Sequence, residues 1–272
     1  MSRDGGSWTA METTLPDGTP WWTASPGDTR MLYDEIFVDR VYADFARRAA
    51  ESGLLVVDVG ANTGLSTLYV ARHASAVPIL AVEPVPLTYS CLAQNLLRHV
   101  PTATTVQGAI GAVQGAVELT YYPRAPSQSG LHAAQARDDA LTAAYLRNIG
   151  FDDIAVDEAL QGLHEGVRVK VPSFRLDVLL DAFRPDLDTG IHLKIDVERA
   201  EEAVLAGIGD RWSSIDGVVC EVEDSDGALG RILKVLDRHG LHAQIEQQET
   251  LADSPLWTVV AARETVNRRG QA

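Results

Sequence analysis

Apolar residues fall along this chain in two alternating periods. The continuous apolar run at 54–59 predicts a strand buried on both faces, as in a parallel sheet, 78–82 and 217–222 read as further buried strands, and 103–107 and 191–195 as strands beside them. Between and after them the spacing lengthens to that of a helix, at 64–73, 86–99, 176–183, 200–206 and 226–239; the last of these puts Leu229, Ile232 and Leu236 on one face. Strand alternating with helix implies βαβ units and an α/β, doubly wound, mostly parallel sheet. Two closing runs, 241–247 and 256–262, are joined by a polar loop too short for a crossover helix, so an antiparallel last strand completes seven.

Two regions depart from this rhythm. Ahead of the first strand, the turn-forming Leu15-Pro-Asp-Gly-Thr-Pro20 precedes Trp21-Trp22 and predicts a short hairpin. Met31, Leu32, Ile36, Phe37, Val41, Phe45 and Ala49 then recur at helical spacing over 29–50, a leading helix broken once, with Asp28 or Thr29 as its cap. After strand-like runs at 116–122 and 167–171, the intervening 123–166 mixes a Ser/Gly/Pro loop with one or two short helices. It reads as an insertion over one end of the sheet. The expected organisation is therefore an N-terminal extension over 1–50, with a disordered tail at 1–6, packed on a core over 51–272 that carries the insertion.

Composition narrows the partners. A net charge of −15 repels phosphate backbones and anionic lipid, and the cationic pair Arg268 and Arg269 lies near the C-terminus. Nucleic acid and membrane are therefore not expected as partners. Cys91 and Cys220 sit in apolar segments without a second Cys or His at ligand spacing, so both are expected as buried thiols and no metal site is expected. The N-terminal stretch has no apolar run suited to a signal peptide and no segment reaches membrane-spanning length, which predicts a cytoplasmic protein.

Candidate chemistry concentrates at strand ends. In Asp58-Val-Gly-Ala-Asn-Thr-Gly64 a buried strand gives way to a helix, where Gly60 allows a tight turn and Gly64 close packing. Glu83, at the end of the next strand, stands where doubly wound nucleoside sites place an acid on the ribose hydroxyls. The spacing is G-x-x-x-G; the absent G-x-G-x-x-G argues against a dinucleotide. Lys194, Asp196 and Glu198 alternate onto one side of a later strand terminus, and Glu221 and Glu223 end the following strand toward the same crevice. His132, in the insertion, offers an imidazole.

The runs Val57-Asp-Val-Gly-Ala-Asn-Thr-Gly64, Val82-Glu-Pro-Val-Pro86 with Asn95-Leu96, and Leu193-Lys-Ile-Asp-Val-Glu198 with Ala200-Glu201 and Leu205-Ala-Gly207 resemble the FkbM family of class I methyltransferases. Leu15-Pro-Asp-Gly18, Leu32-Tyr-Asp-Glu-Ile-Phe37 and Asp39-Arg-Val-Tyr42 look like its branch in polyketide and nonribosomal-peptide pathways. The resemblance implies S-adenosylmethionine as cofactor, with S-adenosylhomocysteine as product. It implies Asp58, Gly60, Asn62, Thr63 and Gly64 around the methionine part, Glu83 and Pro84 at the ribose, and Gln107 and Ala109 beside the adenine. Asp196 then holds the cofactor amino group or accepts the acceptor's proton, with Glu198, Glu223 and His132 as further catalytic candidates. Two positions depart from the family pattern: Arg199 stands where Gly is usual, so positive φ is not freely available, and Glu223 stands where His is common.

The expected function is methylation of a small molecule in natural-product biosynthesis. An acidic lining favours oxygen over nitrogen as the acceptor atom, because a hydroxyl must lose its proton during attack. N-methylation, an NAD-type oxidoreductase and a non-catalytic scaffold are the alternatives, and a homodimer is compatible with the sequence. The leading helix, with Tyr33, Arg40 and Tyr42, and the insertion are expected to form a lid over cofactor and acceptor.

Overall fold

The computed structural model describes residues 9–183, 190–224 and 226–263. The expected tail at 1–6 and the Arg268–Arg269 pair lie outside them. The main sheet comprises β3 (Leu55–Val59), β4 (Ile79–Glu83), β5 (Thr104–Gln107), β9 (Ile191–Ile195), β10 (Ile215–Glu223), β11 (His242–Glu246) and β12 (Leu256–Ala262), in the order β11-β12-β10-β9-β3-β4-β5. Pairings from β10 to β5 are parallel, and β12 runs antiparallel between β10 and β11. The chain therefore has the expected doubly wound seven-stranded sheet.

Alternation along the buried strands feeds two cores. On one face Val57, Leu80 and Leu193 pack with α7 (Leu176–Phe183), α8 (Glu201–Gly207) and α9 (Ala228–Arg238), through Leu180, Leu205 and Ile232. On the other, Val56, Ile79 and Val219 pack with α2 (Ala43–Ser52), α3 (Leu65–His73) and α4 (Pro86–His99), through Phe45, Leu68 and Leu96. Pro86 at the first position of α4 has the fixed φ that starts a helix without needing its N–H. Both cysteines are buried and free.

The hairpin is β1 (Met11–Thr14) with β2 (Pro20–Thr23). The leading segment begins earlier than periodicity implies, because Ser25 caps α1 (Pro26–Tyr33) by accepting from the Asp28 N–H at 3.4 Å and Pro26 occupies the first turn. It breaks through a π turn, Asp34–Val38, and Arg40 at φ +61°.

One feature was not legible from periodicity. β6 (Ala109–Ile110), β7 (Gly115–Tyr121) and β8 (Val167–Phe174) leave the main sheet and form a separate one, ordered β6-β8-β7. Leu119, Tyr121 and Val171 give it a small core with Val85 and Ala109. From this platform hang the insertion helices α5 (Gln135–Asn148) and α6 (Asp153–Leu160).

Candidate active site

Beyond Val59 the backbone turns through three left-handed positions, Gly60 (φ +78°), Asn62 (+48°) and Gly64 (+99°), into α3. A Cβ on Gly60 would sit 1.7 Å from the Asp196 carbonyl oxygen, so only glycine lets the loops after β3 and β9 meet. Asn62 tolerates its conformation through a local bond, its Oδ1 accepting from the Thr63 N–H at 2.6 Å. Glu83 ties the loop from the side: its carboxylate accepts from the N–H of Asn62 at 3.1 Å and of Val85 at 2.9 Å. From outside, Trp21 Nε1 donates to Thr63 Oγ1 and Asn95 Nδ2 to the Thr63 carbonyl.

Asp58 stands behind the loop and does not line the cavity in front of it. Its carboxylate accepts from Ser66 Oγ at 2.6 Å and Thr67 Oγ1 at 2.7 Å and lies 3.1 Å from Lys194 Nζ. Lys194 also reaches Asp196 at 3.3 Å and donates to the Gly60 carbonyl at 2.8 Å. Burial opposes its charge, yet the two carboxylates hold its pKa above the ordinary lysine value. Asp58 thus braces the site from a buried position, and any effect on a cofactor passes through Lys194 and the loop.

The cavity in front measures about 700 Å³. Gly60, Asn62, Thr63, Glu83, Pro84 and Ala109 line it, whereas Gly64 and Gln107 do not. Gly64 instead packs toward Leu92 and Leu96 of α4, and Gln107 ends β5 opposite Glu83, leaving Gly108 at the wall. The leading segment and the insertion both line the cavity, as does a third wall missing from the sequence reading, the β11–β12 loop, through Gln248, Thr250 and Leu251. Asn148 of α5 donates to the carbonyls of Thr250 and Ala252 at 3.1 Å each, joining the second and third walls. Tyr42 lines the cavity, but Tyr33 is buried against Phe37 and Arg40 is exposed; neither lines it.

Lys194, Asp196 and Glu198 all line the cavity, though alternation accounts only for the first two. β9 stops at Ile195, and Glu198 is carried round by its own left-handed backbone, φ +52°. Glu221 joins them, as does Glu35 from the π turn, which accepts from Gln248 Nε2 at 3.2 Å. Sequence reasoning missed Glu35. Its signal was an acid inside the apolar stripe of Met31, Leu32 and Ile36.

Crowding alters these acids. Burial, then the charge of Asp196, pushes the Glu198 and Glu221 carboxyls well above the carboxylate range. Burial raises Glu35 to about 7, with Asp196 adding and Gln248 opposing. Glu83 is likewise pushed by burial to about 7, against the two N–H groups it accepts. Because Glu35 holds its proton in the folded state at pH values where an unfolded carboxyl has lost it, its burial costs stability increasingly as pH rises from about 4.5 to 7. Glu35→Gln is therefore expected to match the wild type at pH 4.5 and exceed it by about 1–3 kcal/mol at pH 8. Urea denaturation at the two pH values checks this; an equal difference at both would refute it.

Arg199 adopts the left-handed conformation, φ +73°, despite its side chain. Its guanidinium is buried, bonding the Glu223 carboxylate, Asp138 at 3.0 Å and the His132 carbonyl at 2.8 Å, while its N–H donates to Glu201 Oε1 at 2.8 Å. Asp138 further accepts from Tyr122 OH at 2.7 Å. This network corrects two expectations. Glu223 does not line the cavity, because its carboxylate is held by Arg199 and lies 3.6 Å from Arg137. His132 is exposed and contributes a backbone carbonyl to the network, with its residue outside the lining.

The family model for the methyltransferase FkbM domain matches residues 58–243, from the glycine loop to the start of β11. The chain belongs to the FkbM methyltransferase family. It is 36% identical over 254 residues to the 31-O-demethyl-FK506 methyltransferase FkbM of Streptomyces tacrolimicus, covering 92% of this chain and 95% of that one. It is 30% identical to methyltransferase sdnD of Sordaria araneosa, covering 91% and 94%. Among solved structures, M. jannaschii TYW2 in complex with AdoMet aligns with a TM-score of 0.43 at 11% identity, over 96% of this chain and 87% of that one. The family makes the chain a methyltransferase. Among the described residues no helix is long and apolar enough to cross a membrane, and no His, Cys, Asp or Glu group is arranged to hold a metal.

Proposed function

We propose that this methyltransferase uses S-adenosylmethionine to methylate a hydroxyl of a small natural-product intermediate. The observation that carries the reading is the meeting of the Gly60 loop, braced by Glu83, with a cluster of cavity-facing carboxyls at the ends of β9 and β10. The glycine cradle, which a side chain would fill, and an acidic wall suit a cofactor that is cationic at sulfur. When bound, the cofactor supplies the methyl electrophile. Glu83 receives the ribose hydroxyls, and Gly60 to Thr63 and Asp196 surround the methionine part. Ala109 and Gly108 border the adenine.

The chain then has three tasks: to align the acceptor oxygen, to exclude water beneath its three walls, and to take one proton. Asp196, paired with Lys194 and facing the cavity, receives that proton. Glu35, Glu198 and Glu221 surround it as neighbouring carboxyls. One relative is named as the methyltransferase of 31-O-demethyl-FK506, an O-demethyl acceptor, which favours the same acceptor class.

Isothermal titration with S-adenosylhomocysteine and NADH tests the cofactor, since binding of the first alone is expected. Methyl-¹³C S-adenosylmethionine, with 31-O-demethyl-FK506 as the first acceptor and then with culture extract, tests the atom. An oxygen-bound methyl shift supports the reading and a nitrogen-bound shift overturns it. Glu83→Ala is expected to raise the S-adenosylhomocysteine Kd by about tenfold or more at pH 8, through loss of charge-assisted bonds. Protonation of Glu83 below about pH 7 should weaken wild-type binding between pH 8 and pH 6. Titration of the Ala variant should show that dependence reduced; an unchanged Kd would remove Glu83 from the site.

A further inference from the structure

We infer that the part of the cavity walled by the insertion is an acceptor subsite for an uncharged, mainly apolar molecule with an oxygen that Gln128 hydrogen-bonds. The inference rests on the methyl-transfer reading of the cavity and adds the acceptor's chemical class. Met31, Leu141, Leu146, Ile149, Leu163 and Leu251 line the cavity on this side, drawn from α1, α5, the α5–α6 and α6–β8 connections and the β11–β12 loop. None of the six belongs to any of the three packed apolar clusters. These apolar side chains lie outside the packed clusters and gather around the cavity, where a ligand with an apolar body would cover them.

The charged groups that line the cavity disfavour an anion. Among the described residues the lining cations are Arg30, Arg124, Lys194 and Arg199. Arg30 is paired with Asp34, Lys194 with Asp58 and Asp196, and Arg199 with Asp138 and Glu223. Arg124 is exposed, its guanidinium donating to the Gln161 carbonyl at 2.6 Å. Glu35, Asp196, Glu198 and Glu221 face the space, so a carboxylate, phosphate or sulfate on the acceptor would meet acids with no unpaired lysine or buried free guanidinium to receive it.

One polar group on this wall is pre-aimed. Gln128 Oε1 is held by the buried His164 through Nε2 and by Thr142 Oγ1 at 3.3 Å, and His164 Nδ1 bonds Asp139 at 2.6 Å. The rings of Tyr122 and His164 meet edge to face, with centroids 5.0 Å apart. With one end of its amide engaged by His164, the other end of Gln128 has no protein partner among the described residues, and the residue lines the cavity. An amide fixed in this way hydrogen-bonds a hydroxyl of the acceptor, which can donate or accept, and orients it.

A matched ligand pair tests the inference on the intact wild-type protein. Nile red, a neutral dye, reports occupancy, and 4-tert-butylcyclohexanol and 4-tert-butylcyclohexanecarboxylate compete at pH 8, with and without saturating S-adenosylhomocysteine. The alcohol is expected to displace the dye with at least tenfold lower apparent Kd than the carboxylate. Gln128→Leu is expected to weaken the alcohol at least threefold while leaving the Kd for S-adenosylhomocysteine unchanged. Leu146→Gln should weaken the dye. Equal or better competition by the carboxylate, or no displacement by either ligand, overturns the subsite; an unchanged alcohol Kd in Gln128→Leu overturns the role of Gln128. Failure of S-adenosylhomocysteine to bind the wild type is a separate result that refutes the cofactor reading, and the arm without it still decides the subsite.

Discussion

Asp196→Asn is expected to lower the rate of methyl transfer by about 10²- to 10⁴-fold, the range for loss of a positioned general base. The amide keeps the shape of the carboxylate and removes its charge and proton affinity. Folding should survive, because Lys194 keeps the Asp58 carboxylate at 3.1 Å and the Gly60 carbonyl at 2.8 Å. The loop contact between the Asp196 N–H and the Val59 carbonyl, 3.1 Å, uses backbone alone and is also retained. Turnover on the acceptor found with labelled cofactor, together with the Kd for S-adenosylhomocysteine, separates the two roles open to this residue. Lost turnover with the Kd held within about threefold identifies a base. A raised Kd with intact kcat assigns Asp196 to the cofactor amino group, and turnover near wild type with an unchanged Kd refutes both.

Arg199→Ala is expected to destabilise the fold by about 3–5 kcal/mol, since it strands the buried carboxylates of Asp138 and Glu223 without their shared cation. Arg137 lies 3.9 Å and 3.6 Å from the two and offsets part of that loss. Arg199→Gly loses the same ion pairs but accepts φ +73° without a Cβ, so it should be more stable than the Ala variant by about 1–2 kcal/mol. Chemical denaturation of the three proteins gives the comparison. If Gly and Ala variants are equally stable, the left-handed backbone at 199 carries no strain, and if neither is destabilised, the network is worth nothing to the fold. The arrangement also explains how this chain carries Arg and Glu at positions 199 and 223: the two side chains bond each other.

Much of the core follows from local chemistry. The run from Leu55 to Val59 is apolar on both faces, and Gly60 and Gly64 occupy positive φ where other side chains are strained, so strand, turn and helix were readable in place. The antiparallel closing pair was equally legible, because a short connection cannot cross a sheet. Tertiary structure decided matters that depend on distant partners. Strands β7 and β8 are half-exposed, and their sequence does not say which sheet they join; the contact of Leu119 and Val171 with Val85 does. Arg199 reaches a conformation its residue type disfavours because Asp138, 61 positions earlier, and Glu223, 24 positions later, supply the compensating charge. The same pairing withdraws Glu223 from the cavity, while a π turn brings Glu35 into it and His164 fixes Gln128 on its wall. Periodicity and residue type report what a residue prefers with its chain neighbours, whereas the identity of a cavity-facing acid or amide is set by which partners the fold brings to its other atoms.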